Sequence, residues 1–253
     1  MISIVIPTHN RCNDLDKCLE SILNQTFKQF EVLVVDDAST DSTSEVCQKY
    51  SVLFELKYIY LPVCSGGPAT PRNLGIEKSK FQWIAFLDSD DLWLPNKLQL
   101  VVDQINLNSS TEIVFHNFIG VPYIVVPNGE RIINRLLRNG NFIINSSVVV
   151  LKSLLIKVNF LDVNPKLISA EDFDLWVRIF QITNNYVYIE KELGIYSFTP
   201  DSISLNYKRK LLNLKTIFIK HKKLIRSNKY YVYMFLKTYT KYFILTLIPK
   251  RHV

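Results

Sequence analysis

Three short apolar runs, each followed by polar or acidic residues, constrain the fold of this chain more than any other feature of its sequence. The runs cover residues 2–7, 30–35 and 83–87. Residues 13–25 place apolar side chains on one helix face, and a second helix ending near Tyr50 follows an N-cap sequence. Strands that alternate with helices through short connections predict an α/β fold, with a mostly parallel sheet and helices on both faces.

The remainder of the first 204 residues continues this alternation. The pattern predicts further strands at 56–61, 112–118 and 142–150, and helices at 69–78, 96–106, 131–138 and from residue 171 onward. Residues 120–130 match neither pattern and indicate a loop that contains a short apolar run. A chain of 253 residues is long enough to bury the core of one large α/β domain.

Two of the apolar runs end in clusters of acidic residues. Asp36 and Asp37 follow the second run, and residues 88–91 (DSDD) follow the third. The carboxyl ends of parallel strands share one edge of a sheet, where open α/β sheets bind their ligands. Mg²⁺ and Mn²⁺ prefer carboxylate oxygens together with substrate phosphates, so this edge is a candidate metal–diphosphate site. The alternative is a polar turn in which Asp91 begins the next helix.

The charge of the chain is unevenly distributed. Residues 202–253 contain 13 Lys and Arg and no Asp or Glu, whereas residues 1–201 contain 17 Lys and Arg and 23 Asp and Glu. A basic end on an acidic body indicates a polyanionic partner, and because no nucleic-acid motif accompanies the charge we expect an anionic membrane surface. Four cysteines without a CxxC pair fit a reducing compartment, and no signal peptide is visible, so we expect a cytoplasmic location. The basic end adds an expected peripheral contact with the inner face of the membrane.

Residues 205–253 form a basic, aromatic extension that we predict to be helical. Lys237 and Lys241 interrupt its apolar residues, so it does not match a membrane-spanning helix of about 20 apolar residues. Two interpretations remain open. The extension is either an interfacial amphipathic helix on a membrane, or a helical pair packed on the main domain with a solvated basic face.

Five segments together resemble the family 2 glycosyltransferases, a group of inverting enzymes with the GT-A fold. They are SIVIPTHN at residues 3–10, VVDDASTD at 34–41, GGPA and RNLG at 66–75, FLDSDD at 86–91, and the Glu-Asp pair at 171–172 with Leu175, Trp176 and Arg178. The resemblance covers residues 2 to 204. It implies a Rossmann-like domain at 1–204, with a nucleotide-binding half (1–110) and an acceptor-binding half (111–204), followed by the extension at 205–253.

The resemblance also implies a role for each matched residue. Asp172 is the expected general base, and Glu171 shapes the acceptor side. Asp90 and Asp88 are the expected ligands of Mn²⁺ or Mg²⁺. The expected nucleotide-binding residues are Pro7, Thr8, His9, Asn10, Asp37, Arg72, Asp88 and Ser89. The expected acceptor-side residues are Trp176, Asn145 and Ser146.

One segment departs from the family pattern. Many members carry Tyr-Arg-x-His-x-x-Ser-x-Ser, whose histidine completes the metal site, but Ser197 and Thr199 stand here in place of the arginine and histidine. Asp201 or a water molecule is then expected to take the metal-ligand position of that histidine.

The expected function is metal-dependent transfer of a sugar from a nucleotide donor, UDP-linked, to a saccharide or lipid-linked saccharide in cell-surface polysaccharide assembly. The alternative is a catalytically degenerate partner that binds nucleotide sugar or a membrane.

Overall fold

The strands of this chain form one mixed sheet. A computed structural model describes residues 1–127, 129–197 and 207–226, and the single positions 236, 240 and 243. Within these residues the strands are β1 Ile2–Thr8, β2 Phe30–Asp37, β3 Leu56–Leu61, β4 Trp83–Phe86, β5 Leu92–Trp93, β6 Ile113–Ile119, β7 Val149–Leu151 and β8 Tyr186–Ile195. The helices are α1 Cys12–Leu23, α2 Thr43–Ser51, α3 Ala69–Lys78, α4 Lys97–Leu107, α5 Ile132–Asn139, α6 Lys152–Lys157, α7 Glu171–Ile182, α8 Tyr207–Lys220 and α9 Lys222–Arg226.

The sheet has a parallel half and a mixed half. Its strand order is β3-β2-β1-β4-β7-β6-β8-β5. The first four strands are parallel, whereas β7 pairs antiparallel with both β4 and β6. In the parallel half Thr8 lies opposite Asp36 and Val5 lies opposite Phe86, so β1, β2 and β4 end at the same edge. This edge carries the acidic clusters, as the alternation of elements predicts.

Alternate residues of the central strands feed two cores, one on each face of the sheet. Val5 and Leu33 pack into one cluster, and their neighbours Ile4 and Val32 pack into the other. This division follows from the two-residue period of a strand and explains why the runs are apolar throughout. Gly75 on α3 lies so close to β1 that a Cβ atom there would be 2.4 Å from Val5 Cγ1.

Several elements, most of them after residue 110, differ from the sequence prediction. The strand expected at 142–150 is instead an extended stretch, a short 3-10 turn at Asn145–Ser147 and the brief strand β7. The polar residues at the centre of this segment make the turn. Strands β5 and β8 and helix α6 are not in the prediction. The structure also shows that Asp91 does not begin a helix, because β5 follows it and α4 starts only at Lys97.

Helix α8 packs on the domain. Ile217, 1% exposed, belongs to the same core cluster as the α7 side chains. The inner face of residues 207–226 therefore packs on the main domain, as the second interpretation of the extension has it. The expected boundary near residue 204 and most of residues 227–253 lie outside the described residues. Among the helices that the structure describes, none has the length and apolar character needed to cross a membrane.

Candidate active site

The carboxyl ends of β1, β2 and β4 open into one cavity of about 520 Å³. Both acidic clusters and the Glu171–Asp172 pair reach it, although they come from three distant parts of the sequence. The predicted site residues that line the cavity are Pro7, Thr8, His9, Asp37, Arg72, Asp88, Ser89, Asp90, Asn145, Glu171 and Asp172.

Arg72 bridges two carboxylates at the centre of this site. Its Nη1 donates to Glu171 Oε1 and its Nη2 to Asp88 Oδ1, each at 2.6 Å. Burial opposes the charge, but Asp88 and then Glu171 outweigh it and raise the pKa of Arg72 above its ordinary value. Both terminal nitrogens take part in this bridge, and Arg72 also lines the cavity, so its expected contact with the nucleotide stays a prediction.

The acidic cluster at residues 88–91 divides between the cavity and the interior. Asp90 lines the cavity and accepts from Arg11 Nη1 at 3.0 Å. Burial and then Asp88 raise the pKa of Asp90 despite the opposing charge of Arg11. Asp91 is buried, where Ser146 Oγ contacts it at 2.6 Å, and burial raises its pKa to about 8. Asp91 therefore lies behind the cavity wall and contacts Ser146 without lining the cavity.

Asp172 lies in the first turn of α7, and each of its carboxyl oxygens accepts a hydrogen bond. Asn141 Nδ2 donates to Oδ2 at 2.9 Å, and the Phe173 backbone N–H donates to Oδ1 at 2.7 Å. Burial, followed by the charge of Glu171, raises the pKa of Asp172 to about 7, although Arg72 opposes the shift. A carboxyl group with a pKa near neutrality is suited to accept a proton at physiological pH.

The opposite end of the cavity is formed by the exits of β1 and β2. Thr8 Oγ1 is buried at this wall without a hydrogen-bond partner among the described residues, which points to a polar ligand atom. Asp37 accepts from the backbone N–H of Ser65 at 2.8 Å, and its own carbonyl accepts from His9 Nδ1 at 2.6 Å. Asn10 does not line the cavity; it joins the two exit loops by accepting from the Thr40 backbone N–H.

The residues at the cavity fit a divalent cation only in part. Among the residues that the structure describes, no group of three His, Cys, Asp or Glu side chains is placed to hold a metal ion. Asp88 and Asp90 nonetheless both face the cavity. Two carboxylates are what Mg²⁺ or Mn²⁺ commonly uses when substrate phosphates complete the shell. The donor set therefore suits a metal that binds together with a diphosphate.

A family model described as "Glycosyl transferase family 2" matches residues 3–146, which carry the β1, β2 and β4 ends of the cavity. This chain belongs to glycosyl transferase family 2. The match confirms the resemblance that the motifs indicate.

Curated relatives extend the family match along the chain. An uncharacterized glycosyltransferase of Rickettsia typhi is 28% identical over 218 residues, covering 81% of this chain and 66% of the relative. One of Haemophilus influenzae is 30% identical over 195 residues, covering 72% of this chain and 62% of the relative. A third, of Rickettsia bellii, is 46% identical over 102 residues, which is 39% of this chain but 14% of that protein. The matched part of the chain thus spans less than two thirds of several relatives.

Solved structures share the fold. Residues 1–349 of TarS from S. aureus in complex with UDP align with a TM-score of 0.66 and 26% identity, covering 86% of this chain and 65% of that one. A mannosyltransferase of Pyrobaculum calidifontis, in complex with GDP-Man and Mn²⁺, has a TM-score of 0.70 at 17% identity and covers 99% of this chain and 76% of its own. The family 2 chain therefore has the GT-A fold that the sequence predicts.

Two expected acceptor-side residues are wrong as direct contacts. Trp176 is fully buried and packs edge-on against Phe86, with ring centroids 6.2 Å apart, so it belongs to the core. Ser146 is buried behind the cavity wall, where its Oγ accepts a hydrogen bond from the Asp88 backbone N–H. Both side chains support residues of the site without lining it.

The cavity also contains residues that the sequence analysis missed. Arg11, Asn141, Ser169 and Tyr196 line it. The position of Arg11 directly after the THN sequence is a signal that could have revealed it, whereas nothing in the sequence marks Asn141. Thr199, Asp201 and the two serines of the variant segment, Ser202 and Ser204, lie outside the described residues.

Proposed function

We propose that this chain is a metal-dependent inverting glycosyltransferase that moves a sugar from a UDP-linked donor to a hydroxyl group, with Asp172 as the general base. The observation that carries the proposal is the meeting of Asp37, the Asp88/Asp90 pair and Asp172 in one cavity. The order of these residues along the cavity corresponds to the order of the nucleoside, the diphosphate and the acceptor hydroxyl in the reaction. The nucleoside lies at the β1 and β2 exits, the diphosphate at Asp88 and Asp90, and the acceptor hydroxyl at Asp172.

The donor end favours a nucleoside diphosphate. Thr8 Oγ1 needs a polar partner there, and Asp37 stands at the same wall. At the diphosphate corner Asp88 and Asp90 would hold Mn²⁺ or Mg²⁺, which as a Lewis acid supplies positive charge to the leaving phosphate. TarS, a neighbour 26% identical, is solved with UDP, which supports UDP over other nucleotides.

Inversion needs one base opposite the leaving group, and Asp172 is suited to that role. Its pKa of about 7 leaves a large deprotonated fraction at neutral pH, and Asn141 and Phe173 fix its orientation. The adjacent Glu171 is paired with Arg72 and is therefore not available as a second base or a nucleophile. A single oriented carboxylate supports direct displacement in which Asp172 takes the proton of the acceptor hydroxyl.

The acceptor side of the cavity has an apolar wall. Phe142, Ile143 and Ile144 follow Asn141 directly and line the same space. An acceptor that combines a sugar hydroxyl with apolar surface fits this wall, as in a lipid-linked saccharide. We therefore place the reaction in cell-surface polysaccharide assembly.

A donor screen tests the proposal. Purified protein is mixed with UDP-, GDP- and dTDP-sugars, with and without Mn²⁺, and followed by thermal shift and by release of the nucleoside diphosphate. We expect Mn²⁺-dependent stabilisation by a UDP-sugar and slow release of UDP. Asp172→Asn should lower turnover by about 10²- to 10⁴-fold while leaving UDP binding intact. Asp103→Asn, on the exposed side of α4, is the matched control.

A degenerate binding partner is the second candidate, because Thr199 stands where the family pattern has a metal-site histidine and the described residues hold no group of three His, Cys, Asp or Glu side chains placed for a metal ion. The same screen separates the two. Stabilisation by UDP-sugar without any release of UDP, unchanged in Asp172→Asn, would support the partner and reject the enzyme.

The outer face of the C-terminal helices supports peripheral membrane binding. Leu212, Lys215, Ile219, Lys222 and Lys223 are exposed there, and no acidic residue occurs in residues 202–253. Aliphatic side chains between lysines are typical of a surface that rests on anionic lipid, where each lysine contributes about 1 kcal/mol. We propose this face as the contact with the inner leaflet.

Vesicle sedimentation tests the membrane contact in the full chain. Neutralising the three lysines to Gln should weaken binding to vesicles that contain phosphatidylserine. Neutralising the exposed Lys17, Lys28 and Lys57 instead should have a much smaller effect. Equal losses in the two triple variants would reject the proposed face.

A further inference from the structure

Helix α8 holds the chain on both sides of the Glu171–Asp172 pair. Before the pair, Asn213 Nδ2 donates to the Ile168 carbonyl at 3.1 Å and to Ser169 Oγ at 3.0 Å. After it, Lys220 Nζ and His221 Nε2 lie 2.8 Å and 2.9 Å from the carboxylate oxygens of Asp174. The first turn of α7 is thus contacted at two points from α8 and His221, the residue that follows it.

The segment that Asn213 holds is part of the cavity wall. Ser169 lines the cavity and has a φ of +69°, a left-handed conformation that a side-chain-bearing residue keeps only when its surroundings enforce it. Ile168 lies against the glycine-rich loop, because a Cβ atom on Gly67 would be 3.1 Å from Ile168 Cγ1. Residues 168–169 therefore join α8 to the Gly67 loop as well as to Glu171.

Asn213 is well suited to this contact. It is 4% exposed, and its amide donates both hydrogen bonds to the segment from within the packed side of α8. Ile217, one turn further along, is buried in the core beneath it. Ile217 therefore anchors α8 to the domain independently of Asn213.

We propose that Asn213 is a positioning residue of the active site, which acts through residues 168–169 to place the Glu171–Asp172 turn. The inference rests on the proposed role of Asp172 as the base. A base must be held in a narrow range of positions relative to the acceptor hydroxyl, and small displacements from distant changes lower the rate strongly. Helix α8 then contributes to the geometry of the active site.

The test compares Asn213→Leu with Asn117→Leu. Asn117 is also 4% exposed and also donates to a backbone carbonyl, that of Ile124 at 3.0 Å, but it does not line the cavity. Both variants lose a buried amide, and that of Asn117 makes two further hydrogen bonds, to Tyr188 Oη at 2.6 Å and from the Ile124 backbone N–H at 3.1 Å. We expect Asn213→Leu to lower kcat by about tenfold to a hundredfold with little change in the KM for the donor. Asn117→Leu should lower the melting temperature at least as much and leave kcat near the wild-type value.

Hydrogen exchange gives a second reading that does not depend on turnover. Asn213→Leu should speed amide exchange in residues 169–174 and leave β1 and β2 unchanged. If kcat and this exchange both match those of Asn117→Leu, Asn213 contributes only to stability and the inference is wrong. If the wild-type protein transfers no sugar, the proposed function fails, while the exchange result still decides whether Asn213 places the turn.

Discussion

Arg72 and Glu171, 99 residues apart in the sequence, form a buried ion pair with an Nη1–Oε1 distance of 2.6 Å. The same guanidinium binds Asp88, so one side chain of α3 connects the end of β4 to the first turn of α7. The acidic cluster and the proposed base are therefore held in one network. Glu171 Oε2 makes no hydrogen bond within the described part of the chain, which leaves Arg72 as the main compensation of its charge.

Arg72→Met should destabilise the fold strongly. The change leaves the buried carboxylate of Glu171 unpaired beside the partly exposed Asp88, and breaking a buried pair in this way costs about 3–5 kcal/mol. Urea unfolding of the purified variant measures the loss. Arg138→Met is the control, because Arg138 is half exposed and its ion pair with Glu130 should contribute less than about 1 kcal/mol. Equal losses in the two variants would contradict the bridging role.

Much of the parallel half of this fold is predictable from sequence. Continuous apolar runs identify β1, β2 and β4 because strands buried on both faces need apolar side chains throughout. Their common direction then brings Asp37 and Asp88 to one edge. The motifs of the family add roles for single residues, which periodicity alone does not provide.

The acceptor-side half is less predictable, for a physical reason. The stretch before β7 has the composition of a strand, but Asn145 and Ser146 form a 3-10 turn whose hydrogen bonds go to the backbone and to Asp88 and Asp91. Such contacts are tertiary and leave no periodic signal. Asn141 is missed for the same reason, since only the folded chain brings it to Asp172.

Gly75→Ala should destabilise the protein by about 1–3 kcal/mol, because an added methyl group would lie 2.4 Å from Val5 Cγ1 in a packed core. Thermal unfolding of the variant measures the loss. Glu77→Ala on the exposed face of the same helix should have little effect. A Gly75→Ala variant as stable as wild type would mean that α3 can move away from β1 without cost.

Asp90→Asn should remove the effect of Mn²⁺ on UDP binding. The change deletes one of the two carboxylates proposed to hold the metal but leaves Thr8 and Asp37 at the other end of the cavity intact. Calorimetry with UDP, with and without Mn²⁺, should show metal-enhanced affinity in wild type and metal-independent affinity in the variant. Asp103→Asn should retain the enhancement. If Mn²⁺ still increases the affinity of Asp90→Asn for UDP, Asp90 is not a ligand of the metal.

Asn141→Leu should move the acid limb of the pH–rate profile to higher pH. The proposed base, Asp172, can accept a proton only when it is deprotonated, so kcat/KM of the wild type should rise with pH through about 7 and then level. Asn141 donates a hydrogen bond to the carboxylate and stabilises its charged form. Its loss raises the pKa of Asp172, so the limb shifts upward and the rate at pH 7 falls.

The measurement is initial rate of UDP release from pH 5 to 9 at fixed ionic strength. Asn108→Leu, on the exposed end of α4, should leave the limb in place. At high pH Asn141→Leu should recover part of its activity, because Asp172 is then deprotonated in both proteins. A variant whose rate falls equally at every pH would show that Asn141 orients Asp172 or the acceptor without changing the proton affinity of the base.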